Sequence, residues 1–441
     1  MDEIEVFLTG RIWLREHTPF PADEIDALIL SGKIKVIPGI TDKQCARCLE
    51  KNTRHIVKFR CARCQADCLY CRHCLTMGRV SSCTELITWA DPSLSPSCVH
   101  SFAWNGTLTS PQKQASDELL ASLERNEDHL IYAVCGAGKT ELLFPPIYAA
   151  LLKNKRVCLA APRTDVVLEL APRLKEAFPG TVIHTLYGDA PKETGFAQLV
   201  IATTHQLYRF QEAFGFMIVD EADAFPYSAD QALQYAVQKA KKPDAPVAYV
   251  TATPSNAMLR SVRNQSRIFR RYHGHPLPES EYRSLWNYRK AFRRKTIPPK
   301  LKSWLEEKLR NRQPFLLFLP TIELIEETIP LFQALDPRIQ AVYAEDPDRK
   351  QKVLQLRNQE VPGLVTSTIL ERGITIPNVQ VAVVGADEAI FTAAALIQIA
   401  GRAGRSAEQP TGDVLFFHNG ISRKMDSARR LIRLYNTEGF S

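Results

Sequence analysis

The chain has 441 residues, of which 45% are hydrophobic and 24% are charged, with a formal net charge of +8. Those proportions are typical of soluble globular proteins, so they exclude wholesale disorder and a membrane-embedded body, and the length allows about three domains. Apolar runs fall short of the roughly 20 residues that cross a bilayer, and the acidic start MDEIEVFLTG is unlike a signal peptide, so we expect a cytoplasmic protein.

Changes in composition and pattern predict five parts along the chain. Apolar β-type runs alternate with helical patterns in two long stretches, which is typical of parallel α/β sheets. The predicted fold class is therefore α/β, with two parallel-sheet lobes preceded by a small cysteine-rich module. The predicted parts are an N-terminal segment at 1–40, a zinc-binding cysteine-rich module at 41–100, an ATP-binding lobe at 105–273, a basic linker at 274–299 and a second lobe at 300–441.

The first motif along the chain is a cluster of cysteines. The chain has eleven, and seven of them lie between residues 45 and 74. Disulfides are rare in a reducing compartment, whereas each C-x-x-C pair supplies half of a tetrahedral zinc site. The favoured zinc ligands are Cys45, Cys48, Cys71 and Cys74.

Seven cysteines exceed one tetrahedral site, so alternatives stay open. The first pair could be completed by Cys61 and Cys64 instead, or these two could hold a second zinc with Cys68 or Cys83. We leave His55 and His73 out, because lone histidines beside cysteines are more often bystanders. The remaining cysteines are predicted to be structural: Cys98, Cys135 and Cys158.

A glycine-rich turn follows the apolar strand LIYAV. Its sequence, AVCGAGKT, precedes a helical run and has the pattern of a P-loop. The glycines let backbone N–H groups curve around phosphates, the lysine reaches the β and γ phosphates, and the threonine hydroxyl coordinates Mg²⁺. We therefore predict that ATP and Mg²⁺ bind to Gly136, Ala137, Gly138, Lys139 and Thr140.

Two adjacent carboxylates, Asp220 and Glu221, end the apolar strand FMIV. Hydrolysis of a nucleotide needs both a magnesium ligand and a group that activates water. We predict that Asp220 holds the cation through its waters and that Glu221 polarises the attacking water.

The excess positive charge lies mainly in residues 260–300, which carry twelve Lys or Arg and two acids. A basic stripe of this kind attracts nucleic acid by releasing the counterions of its phosphates, although a solvated linker has the same composition. Aromatic residues in the segment stack bases in some single-strand binders, but packing of the segment against a lobe is the favoured interpretation. These residues are Phe269, Tyr272, Tyr282, Trp286, Tyr288 and Phe292.

The second lobe ends with the motif QIAGRAGR at residues 398–405. Its two arginines, Arg402 and Arg405, are three residues apart, so we predict that they lie on one face of a helix. If they point at the γ-phosphate, they stabilise the charge that develops in the transition state.

The order of these motifs between residues 105 and 437 resembles that of superfamily-two helicases and translocases. The resemblance implies two RecA-like lobes that close on ATP, with AAPR at 160–163 and TTHQL at 203–207 along the nucleic-acid path. The letters DEAD at 220–223 suggest an RNA helicase, but TATP and QIAGRAGR look like those of DNA-directed relatives. The resemblance also implies that Gln112 reads adenine, that Thr251 and Thr253 couple hydrolysis to movement, that Glu371, Arg372 and Gly373 form a coupling motif, and that Gln398 approaches ATP.

A cysteine module ahead of such a motor, ending CLYCRHCLTMGRV, resembles the late-competence ComFA family of Gram-positive bacteria. The resemblance implies an ATP-driven motor that is peripheral on the inner face of the membrane and pulls transforming single-stranded DNA through an uptake channel, with other competence proteins as partners. Two alternatives stay open. One is a primosomal-type restart helicase, in which cysteines interrupt the motor, and the other is a nucleotide-switched adaptor that does not move DNA.

Overall fold

The computed structural model describes residues 3–91, 99–188, 190, 193–371 and 376–440. The predicted positions Cys98, Arg372 and Gly373 lie outside the described residues. The chain divides into two compact units, Met1–Ile131 with Thr140–Ser266, and Tyr132–Lys139 with Arg267–Ser441. Within the described ranges, we find no helix that is both long enough and apolar enough to cross a bilayer.

The N-terminal module is built on small antiparallel sheets. One has the strand order β1-β7-β2, and two further strand pairs, β3-β4 and β5-β6, carry the cysteine-rich stretch. Its own apolar core joins Phe7 and Leu8 to Ile25 and Trp89. The module's elements are α1 (Glu3–Leu8), β1 (Trp13–Leu14), α2 (Ala22–Leu30), β2 (Ile34–Pro38), β3 (Ile40–Thr41), β4 (Gln44–Cys45), β5 (Ile56–Arg60), β6 (Asp67–Cys71) and β7 (Glu85–Trp89), with 3-10 turns at Arg15–His17 and Arg72–Met77.

This module shares a continuous core with the first α/β lobe, in the same compact unit. The Ile12 N–H donates to the Arg209 carbonyl at 2.8 Å. The ammonium of Lys239, in a helix of the lobe, donates to the carbonyl of Arg47 and to that of Tyr208 at 2.9 Å. The cysteine-rich stretch is therefore fixed to the lobe by backbone, side-chain and apolar contacts.

The first lobe contains a sheet with the strand order β10-β11-β9-β12-β13-β8-β14. Five neighbouring strands pair in parallel, in the order β10, β11, β9, β12 and β13. Strands β9 and β12 are buried at every position, as expected for a parallel sheet covered on both faces. The elements are α3 (Ser110–Glu124), β8 (His129–Ala133), α4 (Lys139–Leu142), α5 (Phe144–Leu152), β9 (Val157–Ala161), α6 (Thr164–Ala177), β10 (Ile183–Leu186), β11 (Leu199–Thr203), β12 (Phe216–Asp220), α7 (Gln231–Ala240), β13 (Val247–Thr251), α8 (Asn256–Ser261) and β14 (Asn264–Ile268), with a 3-10 turn at Thr204–Arg209.

The second lobe contains an all-parallel sheet with the strand order β15-β20-β19-β16-β18-β17. Strand β15 lies inside the segment 274–299 and pairs with β20. The core of the lobe includes Trp304, Phe315 and Phe332. The elements are β15 (Glu281–Ser284), α9 (Tyr288–Arg293), α10 (Pro299–Arg310), β16 (Phe315–Phe318), α11 (Ile322–Gln333), β17 (Gln340–Val342), α12 (Arg349–Arg357), β18 (Gly363–Thr366), β19 (Gln380–Val384), α13 (Ala393–Ala400), β20 (Val414–His418) and α14 (Arg423–Glu438), with a 3-10 turn at Thr368–Glu371.

These sheets confirm the predicted fold class of two parallel-sheet lobes preceded by a cysteine-rich module. They also position the predicted motifs. Strands β12 and β13 are parallel neighbours, so the loops after them meet at the same edge of the sheet. Ligands of open α/β sheets bind at this carboxyl edge of the strands.

Candidate nucleotide site and cysteine clusters

The predicted P-loop follows β8 as a tight turn. Gly136 and Gly138 have φ of +82° and +72°, a backbone conformation that favours glycine. Lys139 begins α4 and its ammonium donates to the Ala133 carbonyl at 3.4 Å. The turn therefore has the strand-turn-helix form that the sequence predicts.

The hydroxyl of Thr140 accepts a hydrogen bond from the Arg173 guanidinium at 3.1 Å. The same guanidinium forms an ion pair with Glu141. Sequence reasoning missed Arg173, because α6 gives no motif that links it to the P-loop. The contact holds a cation beside the threonine predicted to coordinate Mg²⁺.

The DEAD segment turns sharply at the end of β12. Glu221 has φ of +51°, and its N–H donates to an Asp220 carboxylate oxygen at 2.9 Å. Asp223 accepts hydrogen bonds from the hydroxyls of Thr251 and Thr253, both at 2.6 Å. The last carboxylate of DEAD thereby connects the loop after β12 to the loop after β13, a role for Asp223 that sequence reasoning missed.

The predicted adenine-reading residue, Gln112, is buried in the first turn of α3. Its side-chain oxygen accepts from the N–H and the hydroxyl of Thr109, at 2.8 and 3.0 Å. The bond from the Thr109 N–H is one half of a capping box, which holds the Gln112 side chain at the start of the helix. The reading of adenine by Gln112 stays a prediction.

The second compact unit brings part of QIAGRAGR to the P-loop. Gln398, buried near the end of α13, accepts a hydrogen bond from the Cys135 thiol at 2.8 Å. Helix α13 ends at Ala400, so Arg402 and Arg405 follow the helix in a turn, and the prediction that they share one helical face is wrong. The buried Arg402 donates through Nε to the Glu371 carbonyl at 2.9 Å, and Arg405 donates to the Gly401 carbonyl at 3.2 Å. Within this unit, Cys135 of the P-loop therefore contacts Gln398 of QIAGRAGR, the motif that the sequence assigned to the second lobe.

Arg271 is the residue that links these two motifs. Its buried guanidinium donates to the carbonyls of Ala403, Gly404 and Gly401, and the N–H of the next residue, Tyr272, donates to the Gly136 carbonyl at 2.9 Å. Burial lowers the pKa of Arg271 to about 10, so the side chain is still a cation at neutral pH. The sequence analysis counted Arg271 in the basic stripe that would attract nucleic acid. Its guanidinium is buried instead and positions the loop at residues 401–404.

The aromatic residues of the basic segment divide by burial. Tyr272 and Trp286 are exposed, whereas Phe269, Tyr288 and Phe292 are buried. The remaining one, Tyr282, stacks on Phe416. Packing against the protein is therefore the role of most of these side chains, as favoured from the sequence.

The four favoured zinc ligands form one buried group, which we call the inner cluster: Cys45, Cys48, Cys71 and Cys74. Their sulfur atoms lie within 4.8 Å of one another, with 3.7 Å between Cys45 and Cys74 and 3.4 Å between Cys48 and Cys71. Four thiolates at about 2.3 Å from a tetrahedral zinc are about 3.8 Å apart, so the cluster fits this ion. Hydrogen bonds from the neighbouring thiols, led by Cys45, lower the pKa of Cys74, and the Arg47 guanidinium acts in the same direction.

The other cysteines of the module do not join this group. Cys61 and Cys64 lie beside Cys68 and Cys83, in a second group of four thiols, which we call the outer cluster. The alternative in which Cys61 and Cys64 complete the first pair is therefore not the arrangement in the structure. His55 and His73 lie near Glu50 instead of in either cluster.

The fold and the motifs define a helicase-type ATPase with a cysteine-rich N-terminal module. Residues 109–261 match the DEAD/DEAH box helicase family and residues 299–407 match the helicase conserved C-terminal domain. Residues 1–88 match the competence protein ComFA N-terminal domain. The chain belongs to the ComFA family, and its resemblance to that family is confirmed.

Relatives along the whole chain support this membership. The chain is 42% identical to competence protein ComFA of Bacillus subtilis, over 98% of this chain and 95% of the relative. It is 36% identical to competence protein ComFA of Streptococcus pneumoniae, over 90% and 95%. A transcription-repair-coupling factor of Staphylococcus aureus is 26% identical over 70% of this chain and 27% of its own length.

Solved structures show the same fold. Dbp5 of S. cerevisiae bound to RNA and ADP BeF3 has a TM-score of 0.57 at 17% identity, covering 74% of this chain and 87% of Dbp5. RecG bound to a three-way DNA junction has a TM-score of 0.54 at 18% identity, covering 76% of this chain and 46% of RecG. At these identities the likeness concerns the fold alone.

Proposed function

We propose that this helicase-type ATPase moves along single-stranded DNA and draws transforming DNA into the cytoplasm during competence. Membership of the ComFA family supports the biological setting. The observation that carries the mechanical part is the contact between the P-loop and QIAGRAGR, through the Cys135 to Gln398 hydrogen bond and the bridge formed by Arg271. Movement of the P-loop around the phosphates would therefore displace the segment that carries Arg402 and Arg405.

In this proposal the P-loop binds the triphosphate and the carboxylates prepare water. Lys139 would neutralise the β and γ phosphates, and Mg²⁺ would be held by the Thr140 hydroxyl and, through water, by Asp220. The magnesium ion screens the charge of the phosphates when it is bound. Glu221 accepts a proton from the attacking water as general base.

Asp223 connects the catalytic carboxylates at the end of β12 to the loop after β13. Its two carboxylate oxygens hold the hydroxyls of Thr251 and Thr253 at 2.6 Å, so displacement of the DEAD segment moves both threonines. We propose that this connection couples hydrolysis to a change in grip on the DNA.

The arginines of QIAGRAGR act on the developing charge of the γ-phosphate. Arg402 is oriented through its Nε contact with the Glu371 carbonyl, and we propose that its guanidinium contacts the γ-phosphate when ATP is bound. Arg405 and Gln398 complete the set. Glu371, with Arg372 and Gly373 after it, forms the coupling motif of the second lobe.

The DNA contacts are proposed for the exposed part of the basic segment. Arg293, Arg294 and Lys295 are exposed side by side at the end of α9, and Trp286 is 73% exposed. Phosphates would bind to the cations, and a base would stack on the indole.

The inner cluster is the proposed principal zinc site, and the domain boundaries predicted above are proposed with it. Zinc there would fix the module against the first lobe, because Lys239 and Arg47 link the cluster to α7. We further propose that the protein works at the inner face of the cell membrane, with a competence uptake channel and cytoplasmic competence proteins as partners.

The ATPase rate with single-stranded DNA, duplex DNA, RNA and no nucleic acid tests the proposal. We expect single-stranded DNA to stimulate the rate most strongly, and Lys139→Ala and Glu221→Gln to abolish the stimulated rate. The matched control is Lys153→Ala, which removes an exposed lysine of the same lobe and should leave the rate unchanged. An ATPase rate that does not change when DNA is added would support the nucleotide-switched adaptor instead.

A further inference from the structure

The outer cluster gathers four thiols from three places in the chain. Sulfur atoms are 3.5 Å apart between Cys61 and Cys64, 3.6 Å between Cys64 and Cys68, and 3.7 Å between Cys61 and Cys83. All four ligand atoms lie within 4.8 Å of one another. These separations are close to the edge of about 3.8 Å in a tetrahedron of thiolates around zinc. They are far longer than the roughly 2.05 Å of a disulfide bond.

The local chain geometry builds this group independently of the inner cluster. Cys68 and Cys71 are three residues apart in β6, and an odd separation in a strand places two side chains on opposite faces. Cys68, on one face of β6, therefore belongs to the outer cluster, and Cys71, on the other face, belongs to the inner cluster. The two groups share a strand and share no thiol.

The turn between β5 and β6 presents the C-x-x-C pair. The Cys61 N–H donates to the Ala66 carbonyl at 2.9 Å, and Gln65 has φ of +52°, so the chain reverses tightly around the two sulfur atoms. A tight turn that carries two thiols is the usual half-site for zinc.

The fourth thiol arrives from the loop that precedes β7. The Ser82 N–H donates to the Leu69 carbonyl at 2.9 Å, which fixes this loop alongside β6. Cys83 thereby reaches Cys61, although 22 residues separate them. A loop distant in sequence is thus held in place to complete a group of four soft donors.

We propose that the chain holds a second zinc ion, bound by Cys61, Cys64, Cys68 and Cys83. A donor set of four thiolates in tetrahedral positions selects zinc among the available divalent ions, with iron as the other ion of this geometry. A two-stranded hairpin is only marginally stable by itself in water, and a bound ion that joins β5, β6 and the loop before β7 stabilises it.

The two sites differ in access to solvent. The inner thiols are each at most 1% exposed, whereas Cys64 is exposed and Cys83 is partly exposed. A chelator therefore reaches the outer zinc first. We expect the outer ion to be released at least tenfold faster than the inner one, because removal of the inner ion requires the module to open.

The test is the zinc content of the full chain, measured by plasma mass spectrometry after purification under reducing conditions. We expect two zinc ions per chain in the wild type and one in the double variant Cys64→Ser with Cys83→Ser. Cys158→Ala, a cysteine of β9 outside both clusters, is the matched control and keeps two. One zinc in the wild type, two zinc ions in the double variant, or iron in place of the second zinc would each overturn the proposal.

A second measurement on the wild type does not depend on the folding of any variant. Zinc released to a chromogenic chelator should appear in two phases of one equivalent each, and Co²⁺ exchanged into the fast site should give the absorption of tetrahedral thiolate coordination. A single phase of one equivalent would overturn the proposal. Neither measurement involves ATP or DNA, so failure here is distinguishable from failure of the proposed function.

Discussion

Replacement of Arg271 by Gln tests the link between the P-loop and QIAGRAGR. The buried guanidinium donates to three carbonyls of the loop at residues 401–404. A buried acceptor that loses its donor costs about 1 kcal/mol or more, so Arg271→Gln should lower the free energy of unfolding by roughly 3 kcal/mol. For a unit of this size that corresponds to a loss of roughly 6–12 °C in Tm.

The adjacent residue provides the matched control. Arg270 is exposed and its guanidinium lies over the ring of Phe440, so Arg270→Gln removes the same charge one position away with a change of about 0.5 kcal/mol or less. Thermal unfolding by circular dichroism and the ATPase rate without DNA are measured for both variants. Arg271→Gln should lower Tm and the basal rate, and Arg270→Gln should lower neither. Equal behaviour of the two variants would refute the reasoning.

Three further predictions concern other contacts. Burial lowers the pKa of His129 to about 4 from the usual 6.5, so the unfolded chain takes up this proton first as the pH falls. His129 should therefore contribute a loss of about 2 kcal/mol in stability between pH 7.5 and pH 5. Because burial also lowers the pKa of His184 to about 4, urea unfolding should show that His129→Gln reduces the pH dependence by about 2 kcal/mol and leaves the share of His184. Asp223→Asn should keep nucleotide binding but reduce stimulation of the ATPase by DNA at least tenfold, because the amide cannot accept from both threonines; full stimulation would contradict the coupling role. In Gly401→Ala the new methyl group would lie 2.5 Å from Cβ of Cys135, so ATP affinity in equilibrium binding should fall at least fivefold, whereas Gly420→Ala, which has open space, should bind ATP normally; equal affinities would contradict the packing argument.

The strand-turn-helix form of the P-loop was predictable because it depends on neighbours in the sequence. The P-loop needs glycines, a lysine and a threonine in one short turn, and AVCGAGKT shows them directly. Alternating apolar runs likewise predicted both parallel sheets. The partners of these motifs depend on tertiary contacts, so nothing in the sequence indicated that Cys135 would meet Gln398.

Two other features could not be predicted, because they depend on burial and on the pairing of strands: the different roles of two adjacent arginines and the grouping of the cysteines. Arg270 and Arg271 are equivalent in the sequence, yet one is exposed and the other positions a loop. Among the cysteines, spacing alone could not sort Cys61 and Cys64 between the two groups. The sorting follows from the hairpin β5-β6, whose register places Cys68 opposite Phe59.

The most direct test of the motor is displacement of streptavidin from single-stranded DNA that carries biotin at one end. The wild type with ATP should speed displacement from one of the two ends, and Glu221→Gln should not. The absence of ATP-dependent displacement from either end, with DNA-stimulated hydrolysis intact, would contradict translocation and leave an ATPase that binds DNA without moving along it.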